Sequence, residues 1–495
     1  MPMLDVQSGG ILLPVFDSVR ALAFVGDLSM GQPTDHSLRT GWIAARIAEA
    51  AGLDASIGDT VREVALLRWS GCTANAAGFA DVFGDDVAVR LAMLEARPGW
   101  AEAREAPGDA AALMRPLAQT HCEVSGEIAR ILGLSTSTET ALRNIFETWD
   151  GAGLPASIAR EEVPVPVFVV ALAGDLEIFN RVYGLERALE LIEQRSGKRY
   201  PAFLADVAAR NARDWSCAMD EASLADFDAA LITSGMRRDA RAELIADVID
   251  LKLPWMTGFS RAVAMTALAC CARLGLDEAA QACIYRAGLI HGVGRAAVPN
   301  AVWNRPCALP AGAWERVRLV PYWTARAGKQ TGTLREAAEL ASYAYERQDG
   351  SGYFRGADAR ALSLEAQILA ASVAWVALRS TRPWRAALPS DAALQTLRHE
   401  VASGRLSGDV VDALIAEAGR SVGRPQKSAT QNSLLSVRET EVLRAISRGA
   451  SNKEAARELA ISPSTVRTHV ESVFRKLECS TRAAATLKAS AMGLL

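Results

Sequence analysis

Apolar residues recur along this chain mainly at helical spacing. WIAARIAEAAGL (Trp42 to Leu53) and AVAMTALACCARLGL (Ala262 to Leu276) place them three and four apart, the period of one buried helix face. Continuous β-branched runs are rare. The main exception, VPVPVFVVALAG (Val163 to Gly174), holds two prolines, which a central strand does not accept. The pattern predicts an all-α protein.

The pattern also repeats. HSLRTGWIAARIAEAAGLD (His36 to Asp54) matches FSRAVAMTALACCARLGLD (Phe259 to Asp277) at an offset of 223 residues. ETWDGAGLP (Glu147 to Pro155) matches ERQDGSGYF (Glu346 to Phe354) at an offset of 199. That period is too long for a solenoid. It predicts a tandem duplication, with one helical module over 10–235 and a second over 240–420. RSVGRPQKSATQNS (Arg420 to Ser433) has almost nothing apolar and reads as a flexible linker over 421–432. A last domain occupies 433–495.

Composition narrows the class. Half of the 495 residues are apolar, yet no run approaches the ~20 needed to span a bilayer. The N-terminus, MPMLDVQSGG, lacks the basic region and apolar core of a secretory signal. The eight cysteines include no CxxC pair, so neither a zinc site nor a disulfide framework is expected. These features predict a cytoplasmic protein with no membrane partner. The net charge of −3 conceals an asymmetry: residues 420–495 hold 13 Lys and Arg against 6 Asp and Glu, leaving −10 for the rest. A basic tail on an acidic body suits a tail that meets a polyanion.

The tail spells out its helices. Ser436 and Glu439 form a capping box, and Gly449 is a natural helix stop. Asn452 to Ala460 makes a short second helix. Ser462 caps a third, with Pro463 in its first turn, where no N–H is needed. Val466, Val470, Val473, Phe474 and Leu477 form one apolar stripe on it, and Ser464, Arg467, Thr468, Glu471 and Arg475 lie away from that stripe. Two short helices and a tight turn, with a polar outer face on the second, is the helix-turn-helix plan. With Arg438, Glu439, Gly449, Asn452, Lys453, Val466, His469, Lys476, Leu477 and Arg482 at signature positions, the tail resembles the LuxR-type helix-turn-helix domain. The resemblance implies double-stranded DNA as partner and binding as a homodimer through the last helix, Thr481 to Met492. It places Arg467, Thr468 and Glu471 at base edges, where arginine suits guanine and glutamate a cytosine amino group. It makes Lys453, Thr465, His469 and Lys476 phosphate or packing residues.

The second module resembles an HD-GYP domain, a family that hydrolyses cyclic di-GMP with metal ions held by His, Asp and Glu. Gly294, Pro299, Pro306, Arg318, Pro321, Glu346, Asp349, Gly350, Gly352, Tyr353, Gly356, Arg382 and Arg385 match its scaffold. The family's ligand positions differ: its His-Asp pair is His291-Gly292, and its later ligands fall on Val320, Ala344, Tyr345 and Val373. The first module follows the same plan more loosely. His36 and His121 sit where the family keeps histidines, Arg68-Trp69 replaces the His-Asp pair, Ile145-Phe146 the tandem histidines, and Gly174 the late aspartate. The chemistry needs a metal to lower the pKa of the attacking water. The expectation is therefore no metal, no cofactor and no enzyme activity. The old cleft of the second module, with His291, Arg347, Asp349, Tyr353 and Arg385, is read as the ligand pocket. Whether His36 and His121 bind anything stays open. The overall reading is a transcriptional regulator whose body takes a small-molecule effector or supplies dimer contacts. The alternative is a metal-dependent phosphohydrolase with an accessory DNA-binding tail.

Overall fold

A computed structural model describes residues 10–97, 110–422 and 434–495. The expected linker, 421–432, lies outside them except for its first two residues, which close a helix over Gly408–Val422. The described chain is helical throughout, and its only strands are Leu12–Pro14 and Asp239–Arg241. It divides into two compact units, residues 14–240 and residues 241–495 joined by the first 13.

In the first unit the central layer is α1 (Val15–Ser29), α2 (His36–Ala50), α3 (Ala55–Leu67), α4 (Ala110–Ile131) and α5 (Val165–Tyr183). α5 contains the proline-bearing apolar run. Pro166 falls in its first turn, where a missing N–H costs nothing, and Phe168, Val169, Val170 and Leu172 are all buried. A run apolar on every face is what a helix at the centre of a domain requires.

The second unit repeats the plan with α6 (Glu243–Asp250), α7 (Phe259–Arg273), α8 (Glu278–Ile290), α9 (Val320–Gly328) and α10 (Leu364–Arg379). α2 and α7, and likewise α3 and α8, begin and end 223 residues apart. The unit ends in a four-helix tail: α11 (Val437–Ser447), α12 (Asn452–Glu458), α13 (Pro463–Leu477) and α14 (Arg482–Ala491). The expected stripe closes the tail's core, with Val466, Val470, Val473 and Leu477 buried against Val442, Leu443 and Ile446.

Candidate functional site

The tail presents α13 as its reading helix. Ser462 caps it by accepting the Thr465 N–H at 3.0 Å. Arg467 and Glu471 are exposed one turn apart, and the guanidinium donates to the carboxylate at 2.8 Å. That pairing offsets the charge of an acid on a face meant for phosphate. Thr468 is exposed and donates back to the Ser464 carbonyl, Thr465 lies in the exposed first turn, and His469 is half-buried at the edge of the stripe. Lys453 is exposed on α12. Lys476 differs from these: its ammonium donates to Glu439 at 2.7 Å and joins α13 to α11. Glu439 also accepts from Ser472 Oγ and the Ser436 N–H. Burial opposes its charge, but Lys476 and these donors hold its carboxyl down to about 2.

Each module of the body holds a buried polar cluster at the positions the sequence singled out. In the first, Asp27 accepts the Ser37 N–H at 3.0 Å and its hydroxyl at 2.6 Å. Burial pushes the Asp27 carboxyl up to about 8 against those bonds. His36 donates from Nδ1 to Glu177 at 2.5 Å, and its Nε2 faces the Arg68 guanidinium, which also reaches Thr40 and the Val170 carbonyl. Burial works against the Glu177 carboxylate, yet the bond from His36 and the Arg181 guanidinium keep it below the usual range. Burial holds His36 below its ordinary value against the pull of Glu177. His121 sits apart from His36, with Cys72 Sγ 3.6 Å from its Nδ1. Its Nε2 donates to the Arg68 carbonyl at 2.7 Å, and burial drives it down to about 3.

The second module repeats the arrangement. Asp250 accepts from the Ser260 N–H at 2.8 Å and hydroxyl at 2.7 Å, and burial raises it to about 7. His291 is fully buried; it donates to the Gly288 carbonyl at 2.6 Å and accepts from Arg295 at 2.7 Å. Arg295 also donates to the Tyr345 hydroxyl and lies 3.6 Å from Asp250.

Glycines make room for both guanidiniums. A Cβ on Gly174 would sit 2.0 Å from Arg68 Nη1, and one on Gly292 would sit 2.5 Å from Arg295 Nη1. Among the described residues no three His, Cys, Asp or Glu side chains converge as a metal site. An arginine guanidinium stands beside His36 and another beside His291. The buried acids Asp27 and Asp250 and the arginine Arg295 escaped the sequence reading. The only signal of the two acids was the shared Asp-to-Ser spacing, which the 223-residue offset preserves.

The five residues assigned to a pocket in the second module are each engaged within it. His291 is core. Tyr353 stacks on Tyr345 at 5.2 Å, which ties it to the same cluster. Arg347 donates to the Glu346 carbonyl, Asp349 holds a turn by accepting from Ser351, and Arg385 donates to the Ala377, Leu378 and Ala386 carbonyls. A cavity of about 260 Å³ lies in the first module, lined by Trp69, His121, Phe146 and Glu147 among others.

Comparison with known proteins places these parts. Residues 243–410 match the model of the HD domain, and residues 433–489 match that of the bacterial regulatory proteins of the luxR family. The chain is 25% identical over 419 residues to a 3'3'-cGAMP-specific phosphodiesterase 3 of Vibrio cholerae, spanning 78% of this chain and 91% of that one. It is 46% identical over 70 residues to the probable transcriptional regulatory protein NarL of Mycobacterium tuberculosis, covering 14% of this chain and 32% of the relative. A crystal structure of a cyclic GMP-AMP-specific phosphodiesterase from V. cholerae shares the fold, with a TM-score of 0.59 at 22% identity over 83% of this chain and 98% of that one.

The expectation that the chain is not an enzyme is overturned by this similarity. Its body aligns along nearly the whole of a protein named as a phosphodiesterase. The physical reason is that motif positions are only part of a site. Buried acids and cations from other helices lie beside the motif histidines, among them Asp27 and Glu177 in the first module and Asp250 and Arg295 in the second.

Proposed function

The chain carries an HD domain and a luxR-family regulatory domain, and from that pairing we propose that it is a sequence-specific DNA-binding transcriptional regulator. It acts as a homodimer, and its HD-type body links DNA binding to a small molecule. The observation that supports this reading is the capped α13, which leaves Arg467, Thr468 and Glu471 exposed on one face while its stripe is buried. Arg467 would reach a guanine edge, with its pair to Glu471 exchanged for the base. The test is a binding titration of full-length protein on an operator selected from random sequence. Arg467→Ala costs about 1–3 kcal/mol on that operator and much less on unrelated DNA. Equal losses on both would make Arg467 a phosphate contact and remove it from base reading.

A second reading rests on the alignment with the V. cholerae phosphodiesterase: the body hydrolyses a cyclic dinucleotide of the 3'3'-cGAMP class. Incubating the full chain with that dinucleotide and manganese or iron, and separating products by chromatography, tests it. Linear dinucleotide that fails to form when Asp250→Asn is used would place the activity in the second module. Both readings can hold in one chain.

A further inference from the structure

We infer that the cavity of the first module is a binding site for a flat nitrogen heterocycle of one or two rings, which gives an N–H to Glu147 and accepts one from Trp69. Two buried polar atoms line up with that chemistry. Glu147 is 2% exposed, and its Oε1 accepts the Ala156 N–H at 2.7 Å, but its Oε2 has no partner. Trp69 is 6% exposed, and its Nε1–H has none either. A buried polar group left without a partner costs about 1–3 kcal/mol. Arg199 Nε on the same wall also lacks a hydrogen bond but stays 3.3 Å from the Asp175 carboxylate, so the acceptor of Glu147 and the donor of Trp69 describe the complement of a neutral ligand.

The second module shows that the orphan is not inherent to the fold. Its corresponding glutamate, Glu346, accepts the Arg355 N–H on one oxygen and the Ala357 N–H on the other. Only the first copy leaves an oxygen free.

The remaining wall selects shape. Phe146 lies 4.6 Å from the His121 ring and 6.2 Å from the Trp69 ring, giving an aromatic face suited to a planar guest. Met30, Met93 and Met114 also line the space and adapt to irregular outlines. The charged groups of the wall are already engaged. Arg90 donates to Asn75 and the Cys72 carbonyl, and Asp175 is bridged by Arg195 at 2.7 Å and Arg199 at 3.3 Å. The volume, about 260 Å³, falls below the ~300–1,000 Å³ of sites for drug-sized ligands. It admits one small ring system and excludes a dinucleotide. The site is independent of DNA binding by the tail.

The experiment uses the full-length chain and three probes followed by calorimetric titration. Benzimidazole offers both an N–H and an acceptor nitrogen, indole only the N–H, and 1-methylbenzimidazole only the acceptor. Benzimidazole is expected to bind saturably at one site per chain, with each of the others at least tenfold weaker. Glu147→Gln, which turns an amide N–H₂ toward the guest, and Trp69→Phe, which keeps a ring but removes the donor, should each weaken benzimidazole at least tenfold. If Glu147→Gln does not fold, Trp69→Phe alone decides. The assignment is overturned if benzimidazole does not saturate, if the three probes bind alike, or if the folded variants bind it as the parent does.

Discussion

At the scale of single residues, Arg68 and Gly174 in the first module are a paired change. The sequence shows Arg68 in place of the family's histidine and Gly174 in place of its late aspartate as two separate departures. The structure makes them one. The guanidinium of Arg68 fills the space beside His36 that any side chain at 174 would need. That coupling was not legible in the sequence, because the two residues lie on different helices and meet only in the folded core. It leads to a prediction against the usual trend. Gly174 is in the interior of α5, where Gly→Ala would ordinarily gain about 1 kcal/mol of helix propensity. Here the new Cβ would lie 2.0 Å from Arg68 Nη1, and overpacking costs about 1–3 kcal/mol. Displacing the guanidinium also strips His36 and Thr40 of their partner. The second effect wins, so Gly174→Ala should lower the stability of the first unit in a urea titration. A variant as stable as the parent would mean that Arg68 can move aside.

At the scale of elements, the tail was the most legible part. Its caps lie within the local sequence: the Ser436–Glu439 box, the Ser462 cap and Gly449 at φ +89° all stand where the residue types placed them. The Val163–Gly174 run was less legible, since an all-apolar run has no face to betray its period. Lys476 also needed the structure, because its partner is on another helix. Its bond to Glu439 makes it a brace between α11 and α13, and this gives a pH signature. Glu439 is held below its unfolded value, so its contribution to stability is fully present above about pH 4.3 and is lost as pH falls through about 2. Lys476→Met should therefore destabilise the tail at neutral pH, and the difference from the parent should vanish near pH 2. Hydrogen exchange in α11 and α13 across that range is the measurement. A deficit that persists at the acid end would assign the loss to packing of the lysine stem rather than to the ion pair.

At the scale of the molecule, the basic tail and the linker-like segment before it read as a detached domain, yet the tail belongs to the same compact unit as the second module. Thr257 Oγ1 donates to the Ser447 carbonyl at 2.7 Å, at the last residue of α11. Pro254 packs against Gly449, and α14 lies against α6. Contacts between segments so far apart leave no periodic trace, which is why the sequence could not show them. Their consequence concerns α14, the helix that the resemblance assigns to pairing of two tails. In this arrangement it is engaged within its own chain, whereas the Arg467 face of α13 remains exposed. Docking would thus leave base reading intact while withholding the dimer contact. Thr257→Glu tests this directly. It removes the donor and sets a carboxylate against the negative end of α11, an unfavourable interaction of roughly 0.3–1 kcal/mol before the lost hydrogen bond is counted. Freed tails can then pair on the two halves of a palindromic operator, and linked sites gain affinity without new base contacts. The expected outcome is a larger dimer fraction in sedimentation velocity and at least about fivefold tighter operator binding, roughly 1 kcal/mol, at one fixed salt concentration. Unchanged or weaker binding by a variant whose body melts normally would mean that the docked tail is already the DNA-binding form.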